Sequence, residues 1–360
     1  MKNYRPPELT AKWLTTVLKE NGFLPQGHVV EIHQDTRPII GMTADLIFIQ
    51  ANYSKEAPQT LCHNFALKQN KEASHFPEAT RNWVRDLITA EVKFYNSFAG
   101  RINPDALIPC YGAAYDEQEP MDYYILLADL SDSHYQTEWP LPPTAKECEL
   151  IVESLARIHG AWWDKKWEIE EVTGLTAIQY MEQGLARVQE HVDPFIEFLG
   201  DRISKKRREI LKMSVAGHSL FLKRLTDGPL TLVHSDSHFW NFFLPKDSQL
   251  ESTRIFDWQG YSLGLGVLNL AEFLGQHLYG EMRQRVQEGL LRHYHRILQE
   301  MGIRDYTWVN CWEDYRLAAV AQLWVPIVNW QQEMPPQIWW SKLESAFTIF
   351  EDLECEQLFD

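Results

Sequence analysis

The chain has 360 residues, 45% of them hydrophobic, with 34 Lys and Arg against 50 Asp and Glu for a formal charge of −16. That is enough apolar material for a real core and enough length for one large domain or two lobes, while the acidic balance argues against nucleic acid or an anionic membrane as partner and suits a solubilising surface or a cationic substrate. Five cysteines (Cys62, Cys110, Cys148, Cys311 and Cys355) without a CxxC spacing, no secretory leader pattern and no long apolar run predict reduced thiols, a cytoplasmic address and no membrane span.

In chain order, residues 8–21 carry helical spacing (Leu9, Trp13, Leu14, Val17, Leu18) and stop at Asn21-Gly22. Strands are predicted over 28–33, 45–52 and 63–69, the last two joined by a hairpin connection. A long helix follows over 78–99 (Trp83, Leu87, Ile88, Val92, Tyr95, Phe98), then strands near 107–115 and 122–128. Strands give way to a Ser- and Pro-rich stretch near 130–140, which divides a β-rich part, residues 1–130, from a mainly helical part, residues 131–360. Helices are predicted in the second part over 144–163, 174–198, 202–225, 267–278, 281–301, 309–331 and 336–355, with short strands at 230–233 and 253–256. The class is α+β.

Chemistry concentrates in LVHSDSHFWNFFL, residues 232–244, and RIFDWQG, residues 254–260. An apolar strand delivers His234, Asp236 and then Asn241, and a second delivers Asp257. Phosphoryl transfer needs a carboxylate to orient the attacking hydroxyl and hard oxygen ligands to hold Mg²⁺ on the phosphates, roles that suit Asp236 and the pair Asn241 and Asp257. Upstream, Lys68 stands on a predicted strand and Glu91 on the following helix, where a carboxylate can pair with a phosphate-binding lysine.

This ordered set resembles the aminoglycoside phosphotransferase and choline kinase superfamily, in particular its ecdysteroid-kinase-like branch. The segments that carry the resemblance are FALK, AEVKFY, LLADL, SLARIHGAWW, LVHSDSHFWN and IFDWQ, which span most of the chain. The resemblance implies a protein-kinase-like two-lobed fold, with an antiparallel β N-lobe and a helical C-lobe. It implies ATP (or GTP) as donor, Mg²⁺ as cofactor and a small hydroxylated molecule as acceptor. By the same correspondence Asp236 is the base, Asn241 and Asp257 are the metal ligands, and Lys68 with Glu91 binds phosphate. His234 supports the catalytic loop, and Ala128, Asp129 and Leu130 form the hinge for adenine. Gly41 and Thr43 lie in the loop that would cover the phosphates. Three departures stand out. Ser235 replaces a usual Gly, Asn269 replaces a usual Asp in the helix after the metal strand, and the segment at Gly41 lacks a full GxGxxG.

Three other readings are weighed beside this one. A pseudokinase would have lost one of the reacting groups, and all are present. A metallohydrolase would use His234, Asp236 and His238 as H-x-D-x-H, three residues on one face of a strand. A protein kinase would show A-P-E after its metal Asp, whereas here Asp257 leads within ten residues into the helix at 267. The acceptor stays open among an aminoglycoside, an aminoalcohol such as choline, a sugar and an apolar alcohol.

Overall fold

A computed structural model of the protein describes residues 9–35, 44–70, 78–102, 104–138, 140–173 and 177–359. The chain forms two compact units, Met1–Tyr135 with Pro245–Gly260, and Gln136–Leu244 with Tyr261–Asp360.

The first unit is built on a five-stranded antiparallel sheet of strands β1 (Val29–Asp35), β2 (Ala44–Tyr53), β3 (Asn64–Asn70), β4 (Cys110–Tyr115) and β5 (Tyr123–Ala128), in the spatial order β1-β2-β3-β5-β4. Side chains alternate across a strand, so β3 sends Phe65 and Leu67 to one face and Lys68 to the other. On the first face, helix α1 (Ala11–Glu20) packs Leu14, Val17 and Leu18 against Phe65, Leu67, Tyr124 and Leu126. Thr10 caps α1 by accepting the Trp13 N–H through its hydroxyl. Helix α2 (Glu78–Ser97) buries Val84, Ile88 and Val92 and packs on β4 and on the turn Trp258–Gly260. The strand expected from residue 107 begins only at Cys110. Leu107 makes an isolated bridge to Ile255, and Pro109 has no N–H to give to a ladder.

The second unit is helical. Its helices are α3 (Ala145–Ala161), α4 (Lys166–Thr173), α5 (Ala177–Leu199), α6 (Lys205–Ala216), α7 (His218–Asp227), α8 (Val267–His277), α9 (Gly280–Glu300), α10 (Trp308–Ala321), α11 (Trp324–Gln331) and α12 (Pro336–Asp352). A capping box between Thr144 and Glu147 starts α3. Helix α8 lies at the centre of the unit, packed by α9, α10 and α12, with nine of its eleven residues buried. Two long predicted helices are each broken in two. The 202–225 stretch breaks at Gly217, where a Cβ would stand 2.0 Å from the ring of Phe359. The 309–331 stretch breaks before α11 because the Pro326 ring would collide with the carbonyl four residues back in a continuous helix. Helix α4 escapes sequence reading because it is short and, among its described side chains, only Ile169 is buried. Among the described residues no helix is long and apolar enough to cross a membrane, and all five cysteines are free thiols.

Candidate active site

In the first unit, three side chains from distant parts of the chain converge. The Lys68 Nζ stands 2.6 Å from Glu91 Oε2 and 2.6 Å from Asp257 Oδ1. The lysine and Glu91 are largely shielded, with side-chain exposures of 13% and 3%, and Asp257 is exposed to 22%. Burial alone would lower the ammonium's pKa, but Asp257 and then Glu91 outweigh it and hold Lys68 above the ordinary lysine range. Burial pushes the Glu91 carboxyl up, and the Lys68 charge pulls it back.

Local structure explains the convergence. Lys68 lies on the sheet face away from the α1 core, and Glu91 comes from the middle of α2. Asp257 follows the two-residue strand Arg254–Ile255 and takes a left-handed backbone, φ +63°. The next residue, Trp258, is fully buried and stacks on Phe94 of α2 at 4.1 Å with planes 5° apart. That stack, with the Trp258 indole N–H donating to the Ile255 carbonyl at 3.3 Å, fixes the turn that presents Asp257. Trp258 is therefore a packing residue.

The expected hinge follows β5. The Ala128 N–H donates to Pro109 and the Asp129 N–H to Asn64, both at 2.9 Å, so these two donors are engaged within the protein. For the Leu130 N–H no acceptor is seen among the described residues, while its carbonyl accepts from Ser133 and His134. Gly41 and Thr43 lie outside the described residues.

In the second unit, strand Thr231–Val233 pairs antiparallel with Ser262–Gly264 and delivers the loop that starts at His234. His234 is fully buried, and its N–H donates to Asn269 Oδ1 at 3.0 Å. Ser235 takes φ +62°, a backbone that favours glycine, and its hydroxyl pairs with that of Ser262 at 2.9 Å. Asp236 comes next, with its side chain 34% exposed. The Asn241 amide nitrogen donates to the Asp236 carbonyl at 2.9 Å and lies 3.4 Å from its Oδ2. Asp236 and Asn241 are thus held together.

His238 Nε2 lies 3.6 Å from Asp236 Oδ2. Among the described residues, no group of three His, Cys, Asp or Glu side chains is arranged to hold a metal, and that includes the H-x-D-x-H set.

Behind the loop, Asn269 Oδ1 also accepts from His159 Nε2 at 3.1 Å, and His159 Nδ1 lies 2.9 Å from the Tyr294 hydroxyl. Burial lowers the His159 pKa to about 4 and pushes Tyr294 well above its usual range. Both are neutral near pH 7, so Tyr294 donates to Nδ1 and Nε2–H donates to Asn269. An amide oxygen at 269 completes this chain without a charge. One residue beside the loop escaped sequence reading. Glu272 Oε2 accepts the Ser237 N–H at 2.7 Å. A signal for it was present, because Asn269 and Glu272 are polar residues one turn apart in the apolar helix VLNLAEFLGQH.

The model of the ecdysteroid kinase-like family matches residues 41–304, which include every element of both residue sets. The chain belongs to the ecdysteroid kinase-like family. Solved structures similar to this family member include the GDP complex of aminoglycoside 2'-phosphotransferase-IIIa (TM-score 0.52, 10% identity, covering 96% of this chain and 99% of that one). Others are the choline kinase LicA of Streptococcus pneumoniae (0.48, 15%, 90% and 94%) and the ethanolamine kinase of Plasmodium vivax (0.47, 12%, 89% and 82%). No curated protein sequence matches the chain. The fold class is accordingly the mixed, protein-kinase-like one, and the family is one of small-molecule kinase-like proteins.

Proposed function

We propose that this family member is a Mg²⁺-dependent kinase that moves the γ-phosphate of ATP, or of GTP, onto a hydroxyl of a small molecule. The observation that carries the reading is Lys68 held at 2.6 Å by both Glu91 and Asp257. Burying three charges is costly, and removing one would leave the others uncompensated, so such a trio signals a function that needs it. Phosphoryl transfer needs a fixed lysine for the α- and β-phosphates beside a metal-binding Asp.

The donor atoms suit Mg²⁺. Asp257 offers a carboxylate, and Asn241, with its amide nitrogen committed to Asp236, has its amide oxygen left for a hard cation. Mg²⁺ held by oxygens of this kind would neutralise charge on the triphosphate. Lys68, kept straight by Glu91, binds the phosphates. The Leu130 N–H is the hinge donor proposed for adenine. Asp236 orients the acceptor hydroxyl and accepts its proton as the O–P bond forms, while the nucleoside diphosphate leaves. Positioning and electrostatics do most of the work, with no covalent enzyme intermediate. His234 holds the loop through its backbone. The acceptor is a small hydroxylated molecule, as in the choline, ethanolamine and aminoglycoside kinases that share the fold.

The test is ADP or GDP release across a library of hydroxylated small molecules with Mg²⁺, with Asp236→Ala as the blank. Acceptor-dependent release is expected to fall by about 10²–10⁴-fold in the variant while nucleotide affinity stays within about twofold. Near-normal turnover in Asp236→Ala would remove it as the base. Failure to bind nucleotide would remove the kinase reading altogether.

A further inference from the structure

The stretch from His234 to Ser237 has an unusual backbone problem. Ser235 turns it through φ +62°, and the N–H groups of His234 before it and Ser237 after it lie outside the strand ladder and need other acceptors. Helix α8 supplies two, one turn apart. Asn269 Oδ1 takes the N–H of His234 at 3.0 Å, and Glu272 Oε2 takes the N–H of Ser237 at 2.7 Å. The two anchored amides flank Asp236.

A neutral acceptor would satisfy a buried N–H at less cost than a carboxylate. Ser237 is fully buried, and the Glu272 carboxyl is pushed up to about 7 by burial and by the nearby Asp236 charge, against Lys342 and the Ser237 bond. A second carboxylate near Asp236 therefore works against its own ionisation. What the Glu272 side chain supplies is an acceptor oxygen 2.7 Å from the amide immediately after Asp236.

We propose that Glu272 is a positioning residue: by accepting the Ser237 amide it fixes the backbone on the C-terminal side of Asp236 and so aims the base at the acceptor hydroxyl. This rests on Asp236 acting as the base.

The experiment uses the full chain with Glu272→Ala and Glu272→Gln, each checked for folding by thermal melting. Amide hydrogen exchange over residues 234–238 is read first, because it needs no substrate. Glu272→Ala should speed exchange at Ser237 by about tenfold or more, and Glu272→Gln, whose amide oxygen can still accept, should restore most of the protection. In the transfer assay Glu272→Ala should lower kcat by about tenfold or more with the nucleotide KM unchanged, and Glu272→Gln should stay within about threefold of the parent. Unchanged exchange in Glu272→Ala overturns the proposal, as does unchanged kcat. A kcat loss in Glu272→Gln as large as in Glu272→Ala also overturns it. No Asp236-dependent transfer in the unsubstituted protein overturns the base assignment, and the positioning role with it. Transfer that Glu272→Ala leaves intact overturns the positioning role alone.

Discussion

Ser235 and Asp257 share a feature that sequence patterns hide: both are non-glycine residues in the left-handed region, at φ +62° and +63°. Such strain gathers where a backbone must aim a functional group. At 235 the cost can be measured. Ser235→Ala keeps the strain and loses the hydroxyl bond to Ser262, so it should destabilise by about 1 kcal/mol. Ser235→Gly loses the same bond but relieves the strain, worth about 1 kcal/mol, and should come out near neutral. Denaturant unfolding of the two variants checks this, and equal losses would refute the strain argument. Glu272 gives a pH signature at the same scale. Its folded-state pKa of about 7 lies above the ordinary value of 4.5, so the folded state binds the extra proton between these values. Stability contributed by that proton is present at low pH and is lost as pH rises through the window, by at most about 3 kcal/mol. Glu272→Gln cannot titrate, so its stability relative to the parent should grow from about pH 5 to about pH 8. Parallel stability curves for the two proteins would contradict the burial argument.

At the scale of elements, the loop with Asp236 is held from behind by helix α8, and α8 in turn by the neutral chain Tyr294–His159–Asn269. Asn269 fits this arrangement, since a carboxylate there would bring a charge against a buried, neutral His159. Gly266, at the start of α8, makes the close approach possible. A Cβ at that position would meet the Tyr294 hydroxyl at 2.4 Å and His159 Nδ1 at 2.9 Å. Gly266→Ala should therefore cost about 1–3 kcal/mol by overpacking and lower turnover through the displaced loop. Denaturant unfolding together with single-turnover kinetics tests both parts, and a neutral variant would show that the network yields without effect.

For the whole molecule, charge and ligand linkage set the expectations. A net charge of −16 opposes compaction through self-repulsion. Raising salt from about 20 mM to about 300 mM should raise the melting temperature by about a few degrees. Saturating Mg-ATP at about 100 times its Kd should add about 2.7 kcal/mol of stability, and Asp257→Ala should lose most of that gain. Unchanged Mg-ATP stabilisation in Asp257→Ala would remove Asp257 as a ligand.

The sequence by itself singled out Lys68, Glu91, Asp236, Asn241 and Asp257 as candidates, because the proposed chemistry calls for those residue types in that order, and within their own units the structure pairs Lys68 with Glu91 and Asp257, and Asp236 with Asn241. It also determined the elements with clear periodicity, such as β3, α2 and α9, because a buried face writes itself into apolar spacing. Tertiary structure alone decided the rest. It broke the helices at Gly217 and before Pro326, since a Gly or a Pro inside an apolar helical pattern is an ambiguous stop signal along the chain until packing decides it. It joined Lys68 to Asp257 across 189 positions. It also brought Glu272 to the amide of Ser237, because which backbone group a buried carboxylate meets depends on how a helix packs behind a loop, and no spacing along the chain encodes that.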